Sequence, residues 1–225
     1  MKMTVAQAMV KCLEQEQIQT VFGYPGAAIC PFYDALLNSP IEHLLIRQEQ
    51  MGGHCANGLA RVTGRPQVCI ATSGPGALNL ITGIATAYMD SIPLVCITGQ
   101  VNSDQLGKDV FQEADITGAV EPFSKYSYIV KDGSQIARIF KEAFYLAGTG
   151  RPGPVVIDVP TDIQNQTIDF EYPETISMRS YKPTVVGNAR QITRAAAALK
   201  KAKRPLIVAG GGIFAAGAVE ELNKL

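Results

Sequence analysis

Apolar positions along the chain fall into two alternating rhythms. Val5, Met9, Cys12 and Leu13 recur at helical spacing, and Thr4 with Gln7 ahead of them has the form of a capping box. A short apolar run, Thr20 to Phe22, ends in Gly23-Tyr24-Pro25-Gly26, and Ile29 to Leu37 returns to a helical pattern. Glu42 to Ile46 reads as the next strand and runs through Arg47-Gln48-Glu49 into a Gly/Ala-rich helix reaching about Arg61. Gln67 to Ala71 and Leu94 to Thr98 are continuous apolar runs, the kind buried on both faces of a sheet. The first ends in Thr72-Ser73-Gly74-Pro75-Gly76 and a helix to about Tyr88; the second leads into a polar loop, Asn102 to Asp115. Ser134 is placed to cap a helix with the stripe Ile136, Ile139, Phe140, Ala143, Phe144 and Ala147, which Gly148 or Gly150 ends. Val155 to Val159, closed by Pro160, is the last strand of the series.

Short apolar strands alternating with helices specify an α/β fold, a doubly wound parallel sheet covered on both faces. Residues 1–165 are expected to form one such domain. From 166 to 187 the chain is polar and holds Pro173 and Pro183, which predicts an interdomain linker. The pattern then restarts. Ile192, Ala195, Ala196 and Leu199 make a helix face, Leu206 to Ala209 reads as a strand, and Gly210-Gly211-Gly212 turns into another helix. Residues 188–225 are therefore expected to be the incomplete start of a second α/β domain.

Composition narrows the function classes. Twenty basic residues balance 20 acidic ones, so no nucleic-acid or acidic-membrane partner is expected. The longest weakly polar run, Leu206 to Val219, falls short of the ~20 residues of a membrane span, and no signal-peptide pattern opens the chain. The expectation is a soluble, cytoplasmic protein. Cys12, Cys30, Cys55, Cys69 and Cys96 form no CxxC pair and no zinc spacing, and read as small core hydrophobes in a reducing compartment. His43 and His54 have no metal-ligand partners nearby in sequence and read as structural; no metal ligand is expected in this chain.

Ligands of open parallel sheets bind beyond the carboxyl ends of the strands. The ends here carry Gly23-Tyr24-Pro25-Gly26, Gln48-Glu49, Ser73-Gly74-Pro75-Gly76 and Gly99-Gln100, which should share one rim. Glu49 has two readings. It is a carboxylate in a first helical turn, where the dipole favours it, or a group that holds or trades a proton with a ligand. The Ser73-Gly74-Pro75-Gly76 turn is either plain turn geometry or a place where backbone approaches a phosphate. It is not a dinucleotide fingerprint, because Asn79 stands where the third glycine belongs.

The order and spacing of Phe22-Gly23-Tyr24-Pro25-Gly26, Arg47-Gln48-Glu49-Gln50, Ala71-Thr72-Ser73-Gly74-Pro75-Gly76, Thr86-Ala87-Tyr88-Met89-Asp90-Ser91-Ile92-Pro93 and Ile97-Thr98-Gly99-Gln100 resemble the pyrimidine-binding domain of thiamine-diphosphate decarboxylases and synthases. Phe111-Gln112-Glu113-Ala114-Asp115 and the stretch from Gly150 to Pro160 resemble the acetolactate synthase branch, in its large, catalytic subunit. Two departures stand out: Pro25-Gly26-Ala27 where the family has Pro-Gly-Gly, and Arg47-Gln48-Glu49 where it often has Arg-His-Glu.

The resemblance implies a chemistry and a cast of residues. Glu49 hydrogen-bonds the ring nitrogen of the cofactor's aminopyrimidine, so that its exocyclic nitrogen can take the C2 proton of the thiazolium. Pyruvate is then decarboxylated, with the cofactor as electron sink, and condensed with a second 2-oxo acid in branched-chain amino acid biosynthesis. Gly23, Tyr24, Pro25 and Gly26 shape the wall beside the pyrimidine. Gln112 faces the reaction centre, Phe111 packs near the substrate methyl group, and Lys125 lines the substrate channel. Gly211 and Gly212 match a turn that contacts FAD in the central domain. The magnesium ion that holds the diphosphate is implied to take its ligands from outside this chain, since no Gly-Asp-Gly stretch followed by Asn occurs. The resemblance further implies a homo-oligomer, a regulatory small subunit as partner, and inactivity of these 225 residues alone. The alternatives are another thiamine-diphosphate 2-oxo acid decarboxylase or oxidase, and a noncatalytic remnant or binding domain.

Overall fold

The computed structural model describes residues 1–225, which divide into two compact units, Met1–Met178 and Arg179–Leu225. The first unit opens with strand β1 (Lys2–Thr4) and helix α1 (Val5–Gln15). The capping box forms as expected: the Thr4 hydroxyl accepts from Gln7 N at 3.2 Å and the Gln7 amide oxygen accepts from Thr4 N at 2.9 Å. Val5, Met9, Cys12 and Leu13 make the buried face. Then follow β2 (Thr20–Gly23), α2 (Cys30–Leu36), β3 (Glu42–Leu45), α3 (Glu49–Thr63) and β4 (Gln67–Ala71). Next come α4 (Pro75–Asn79), α5 (Ile81–Met89), β5 (Leu94–Gln100), α6 (Ile116–Val120), β6 (Tyr126–Ile129), α7 (Ile136–Gly148), β7 (Pro154–Pro160), α8 (Thr161–Gln164) and β8 (Thr167–Asp169).

Six strands form an all-parallel sheet in the order β3-β2-β4-β5-β7-β6. Helices α1, α2 and α7 pack together on one face. On the other, α3, α4 and α5 bury Ala56, Ala77, Leu80, Ile84 and Ala87 against Cys69, Ala71 and Cys96 of the central strands. The central strands β4, β5 and β7 are buried at every position, which explains their continuous apolar runs. Phe32 and Phe140 are the largest fully buried side chains; truncating either to Ala should cost roughly 3–5 kcal/mol. Connections reverse direction twice across the sheet, at β2/β4 and at β5/β7, and such reversals open crevices at the carboxyl ends.

Several local expectations are corrected. β6 is an additional edge strand. It is short and polar, and its Tyr126–Tyr128 ring pair, 4.6 Å between centroids, was the alternating signal. Ser134 does not cap α7. Asp132 accepts from Ser134 N at 2.9 Å and opens a 3₁₀ turn, Gly133–Gln135, ahead of the helix. The helix after Gly76 is two segments, because Leu80 N donates to Ala77 O at 3.1 Å and tightens the turn between them. Cys12, Cys69 and Cys96 are buried, but Cys30 and Cys55 are exposed; Cys55 lies with Met51 and Val62 on the outer stripe of α3. Part of the stretch 166–187 is folded onto the first unit: β8 pairs antiparallel with β1, Met3 opposite Ile168.

The second unit contains α9 (Ala189–Lys201), capped by Asn188, then α10 (Gly212–Ala215) and α11 (Val219–Lys224). Leu206 to Ala209 is not a strand. An extended segment becomes one only by pairing, and none in this unit is offered to it.

Candidate functional site

Every helix that follows a strand of the sheet starts at the carboxyl rim, so the rim gathers helix N-termini and the turns before them. The crevice at β2/β4 is built almost without side chains. Gly23 packs its α-carbon against the Tyr33 hydroxyl and Ile70 O, and His43 Nε2 meets Gly23 O at 3.1 Å. Beyond it, Tyr24 is exposed and donates its N–H to Ile70 O at 3.3 Å; Pro25 is exposed as well. A Cβ on Gly26 would lie 2.5 Å from Thr72 Cβ, and one on Gly76 would lie 2.8 Å from the Thr72 methyl and 3.2 Å from Glu49 Oε1. Gly26, Thr72, Gly76 and Glu49 are thus contiguous. Any side chain at either glycine would fill the space beside the carboxylate.

Glu49 is the first residue of α3 and is half-buried. Its Oε2 accepts from Asn79 Nδ2 at 2.9 Å, and no ion pair of the chain involves it. One oxygen is therefore anchored while Oε1 faces the glycine-walled gap. A carboxylate so placed can hold or exchange a proton with a nitrogen base.

The loop from Val101 to Asp115 crosses next to this crevice. Gly74, at φ +58°, lets the backbone of Gln112 approach so closely that a Cβ there would lie 2.6 Å from Gln112 O. Gln112 itself has φ +58°, a left-handed conformation costly for a non-glycine residue and frequent at functional sites. Phe111 next to it is 87% exposed. Carboxylates organise the loop. Glu113 accepts from Gly107 N, from Lys108 N at 3.3 Å and from Val110 N at 3.2 Å, and these bonds, Gly107's first, hold its pKa below the usual range. Asp115 caps α6 through Gly118 N at 2.8 Å, which likewise lowers its pKa. Asp162 accepts from Ser103 N at 2.9 Å.

At the second reversal, β5/β7, lies a carboxylate that sequence reasoning passed over. Asp158 is buried within β7. Its Oδ1 accepts from Thr98 Oγ1 at 2.6 Å and its Oδ2 from Gln100 Nε2 at 2.9 Å. Burial pushes its pKa up to about 7, against the pull of those two hydrogen bonds and with a further push from Asp115. The same Gln100 amide donates to Ala114 O at 2.9 Å, tying this network to the Gln112 loop. The signal was there to read: an acid inside a continuous apolar strand needs partners. Asn79 and Thr72 were also missed as neighbours of Glu49, because only the fold brings residues 49, 72 and 79 together.

Other expected site residues lie elsewhere. Lys125 is not on the rim. Its N–H donates to Pro154 O at 2.8 Å, at the amino end of β7, and its ammonium group donates to Leu146 O and to Thr149 O (2.8 Å), closing the last turn of α7. The physical reason is topological, since the residue before β6 must sit at the sheet's opposite end. Gly211 and Gly212 belong to the second unit and are exposed; an added Cβ there meets nothing within 4 Å, so no flavin cradle is defined at these glycines. No group of three or more His, Cys, Asp or Glu is placed to hold a metal ion, and no helix is long and apolar enough to cross a membrane.

Comparison with known proteins agrees with this geometry. Residues 3–119 match the family described as thiamine pyrophosphate enzyme, N-terminal TPP binding domain. The chain is 52% identical over 221 residues to an acetolactate synthase large subunit of Buchnera aphidicola, covering 97% of this chain and 39% of the relative. It is 50% identical over 223 residues to the acetolactate synthase large subunit of Corynebacterium glutamicum (99% and 36%). With the acetolactate synthase isozyme 3 large subunit of Escherichia coli it shares 49% over 222 residues (97% and 39%). The chain thus spans well under half the length of these relatives. A parallel sheet whose β2/β4 crevice is walled by glycine beside one anchored carboxylate, matched by the family over more than half of the sequence, leads to one conclusion: the chain belongs to the thiamine pyrophosphate enzymes and carries their N-terminal TPP-binding domain.

Proposed function

We propose that this chain is the cofactor-activating part of an acetolactate synthase catalytic subunit, which decarboxylates pyruvate and condenses it with a second 2-oxo acid, pyruvate or 2-oxobutyrate, on the route to valine, leucine and isoleucine. The observation that carries the reading is Glu49, held through Oε2 with Oε1 turned to a gap that Gly26 and Gly76 keep open. Thiamine diphosphate, when bound, supplies the electron sink for the loss of CO2. Glu49 holds a proton against the ring nitrogen of the aminopyrimidine, at Oε1. Gly23, Tyr24, Pro25 and Gly26 form the wall on which that ring rests. Gln112, fixed against Gly74, presents its amide to the reacting centre, and Phe111 covers the substrate methyl group and keeps water away.

In this reading residues 1–165 are the pyrimidine-binding domain, 166–187 lead out of it, and 188–225 start a central domain. Mg2+ is held by ligands outside this chain and FAD by a complete central domain; neither contributes a step derived from these residues. The working enzyme is a cytoplasmic homo-oligomer with a regulatory small subunit. Identity near 50% across almost the whole chain supports the synthase over other thiamine-diphosphate enzymes.

The test is hydrogen–deuterium exchange at C2 of bound thiamine diphosphate in a full-length enzyme carrying this chain. Glu49→Gln should slow exchange by orders of magnitude. Near-normal exchange in that variant removes Glu49 from its role and the reading with it.

A further inference from the structure

Asn79 interrupts what would otherwise look like a nucleotide-binding turn, and nothing in the proposed reaction has yet used it. Its side chain is exposed, so it is not there to fill the core. Its amide has one partner, Glu49 Oε2, at 2.9 Å. The helices that flank this pair touch a few residues further along the chain. Four positions beyond Glu49 stands Gly53, and four beyond Asn79 stands Gly83. These two glycines touch: a Cβ on Gly53 would lie 3.2 Å from Gly83 Cα, and one on Gly83 would lie 2.9 Å from Gly53 Cα. Helix α3, which carries Glu49, and helix α5, which follows the short segment carrying Asn79, are therefore clamped backbone to backbone close to the pair. Any larger residue at the crossing would force the helices apart and break the hydrogen bond above it.

We propose that Asn79 is a positioning residue for Glu49: its amide fixes the rotamer of the carboxylate and occupies Oε2, so that Oε1 alone is left to meet a nitrogen base in the Gly26–Gly76 gap. The inference rests on the role given to Glu49 above. A carboxylate has two equivalent oxygens and free rotation about its last torsion. A charge-assisted N–H···O bond selects one orientation, and it does so before any ligand arrives. The Gly53–Gly83 crossing sets the distance over which this works.

The test uses the same full-length enzyme and two readouts, the C2 exchange rate of bound thiamine diphosphate and the dissociation constant of the cofactor. Removal of a hydrogen bond to a charged group is worth about tenfold or more, so Asn79→Ala should slow exchange by at least about fivefold. The cofactor dissociation constant should change much less, because the wall of glycines and the bound ring are untouched. Asn79→His keeps a ring N–H donor at nearly the same place and should restore most of the exchange rate. Exchange in Asn79→Ala within about twofold of the parent, or equal slowing in the Ala and His variants, overturns the proposal. Glu49→Gln run alongside separates the two claims. If Glu49→Gln abolishes exchange while Asn79→Ala leaves it intact, only the positioning role falls. If Glu49→Gln leaves exchange intact, the role of Glu49 falls first.

Discussion

The two ends of the parallel sheet are made of opposite materials. At the amino ends of the strands, cations are used up internally. Lys125 holds the last carbonyls of α7, Arg151 reaches Tyr88 O at 3.1 Å and Ser91 Oγ at 2.8 Å, Arg61 pairs with Asp90, and Lys141 pairs with Glu16 at 2.9 Å. These groups sit near helix C-termini, where positive charge is favoured. At the carboxyl ends there are carboxylates, glycines and exposed apolar side chains, and the one ion pair near them, Arg138–Glu142 at 2.8 Å, lies within α7 and away from Glu49. The amino end ties its cations to protein groups, although a cavity of about 700 Å³ opens there between Glu16, Thr20, Gln67, Lys141 and Thr149. The carboxyl end keeps a carboxylate oxygen, a gap and an aromatic ring without internal partners, which is what a surface looks like when its partner is a ligand.

That contrast can be broken by mutation, the largest effect coming at Gly74. Gly74→Val puts a branched side chain at φ +58° and into the backbone of Gln112. The loop carrying Phe111 and Gln112 must move, and turnover of the full-length enzyme should fall at least about 100-fold, the usual consequence of a misplaced catalytic loop. Turnover within a few fold of the parent would detach that loop from the site.

Asp158 gives the next largest effect, through pH. Its ordinary pKa is 3.8 and burial raises it to about 7 in the folded chain, so the fold favours the protonated form. The associated stability is fully present below about pH 3.8 and is lost as pH rises through about 7, on the order of 4 kcal/mol in all. Paired urea titrations of the parent and Asp158→Asn should show the parent losing ground to the variant as pH rises from 4 to 8. A pH-independent difference would mean that Asp158 does not titrate in that window.

Smaller effects test the division of labour directly. Lys125→Met removes a charged donor from two carbonyls and should cost about 1–3 kcal/mol of unfolding free energy, with the KM for pyruvate unchanged. A raised KM at constant stability would place Lys125 in the substrate path after all. Phe111→Ala is the converse. The side chain is almost fully solvent-exposed, so stability should stay within about 0.5 kcal/mol, while the choice of acceptor 2-oxo acid shifts. A destabilisation of several kcal/mol would mean that the ring is packed in solution.

The same contrast explains what could be read from the chain. Buried strands such as Gln67–Ala71 and Leu94–Gln100 announce themselves by apolar continuity, and the Thr4–Gln7 box by its spacing. Glu49 was legible as a carboxylate at a strand end; which reading holds for it depends on Gly76 and Asn79, some 30 residues away, and no local pattern encodes that proximity. β6 was missed because an edge strand needs only a short, half-polar alternation, and Leu206 to Ala209 was overread because apolar runs pair only when a neighbour exists. The resemblance gave Lys125 a place along the substrate channel, and the sheet's direction puts it at the amino end of β7, a position no local pattern encodes.

The pairing of β1 with β8 has a consequence in time. Lys2 lies opposite Asp169, and Met1 and Phe170 exchange backbone contacts beyond them. Strand β1 therefore meets its partner only after the residues between it and β8 have been synthesised. Helix α1, packed on α7, waits nearly as long. Until then α1 has only α2 among the helices to pack on, and the part of its apolar stripe that α7 covers stays open on a growing chain, a long-range closure of the kind that folds slowly and invites chaperones.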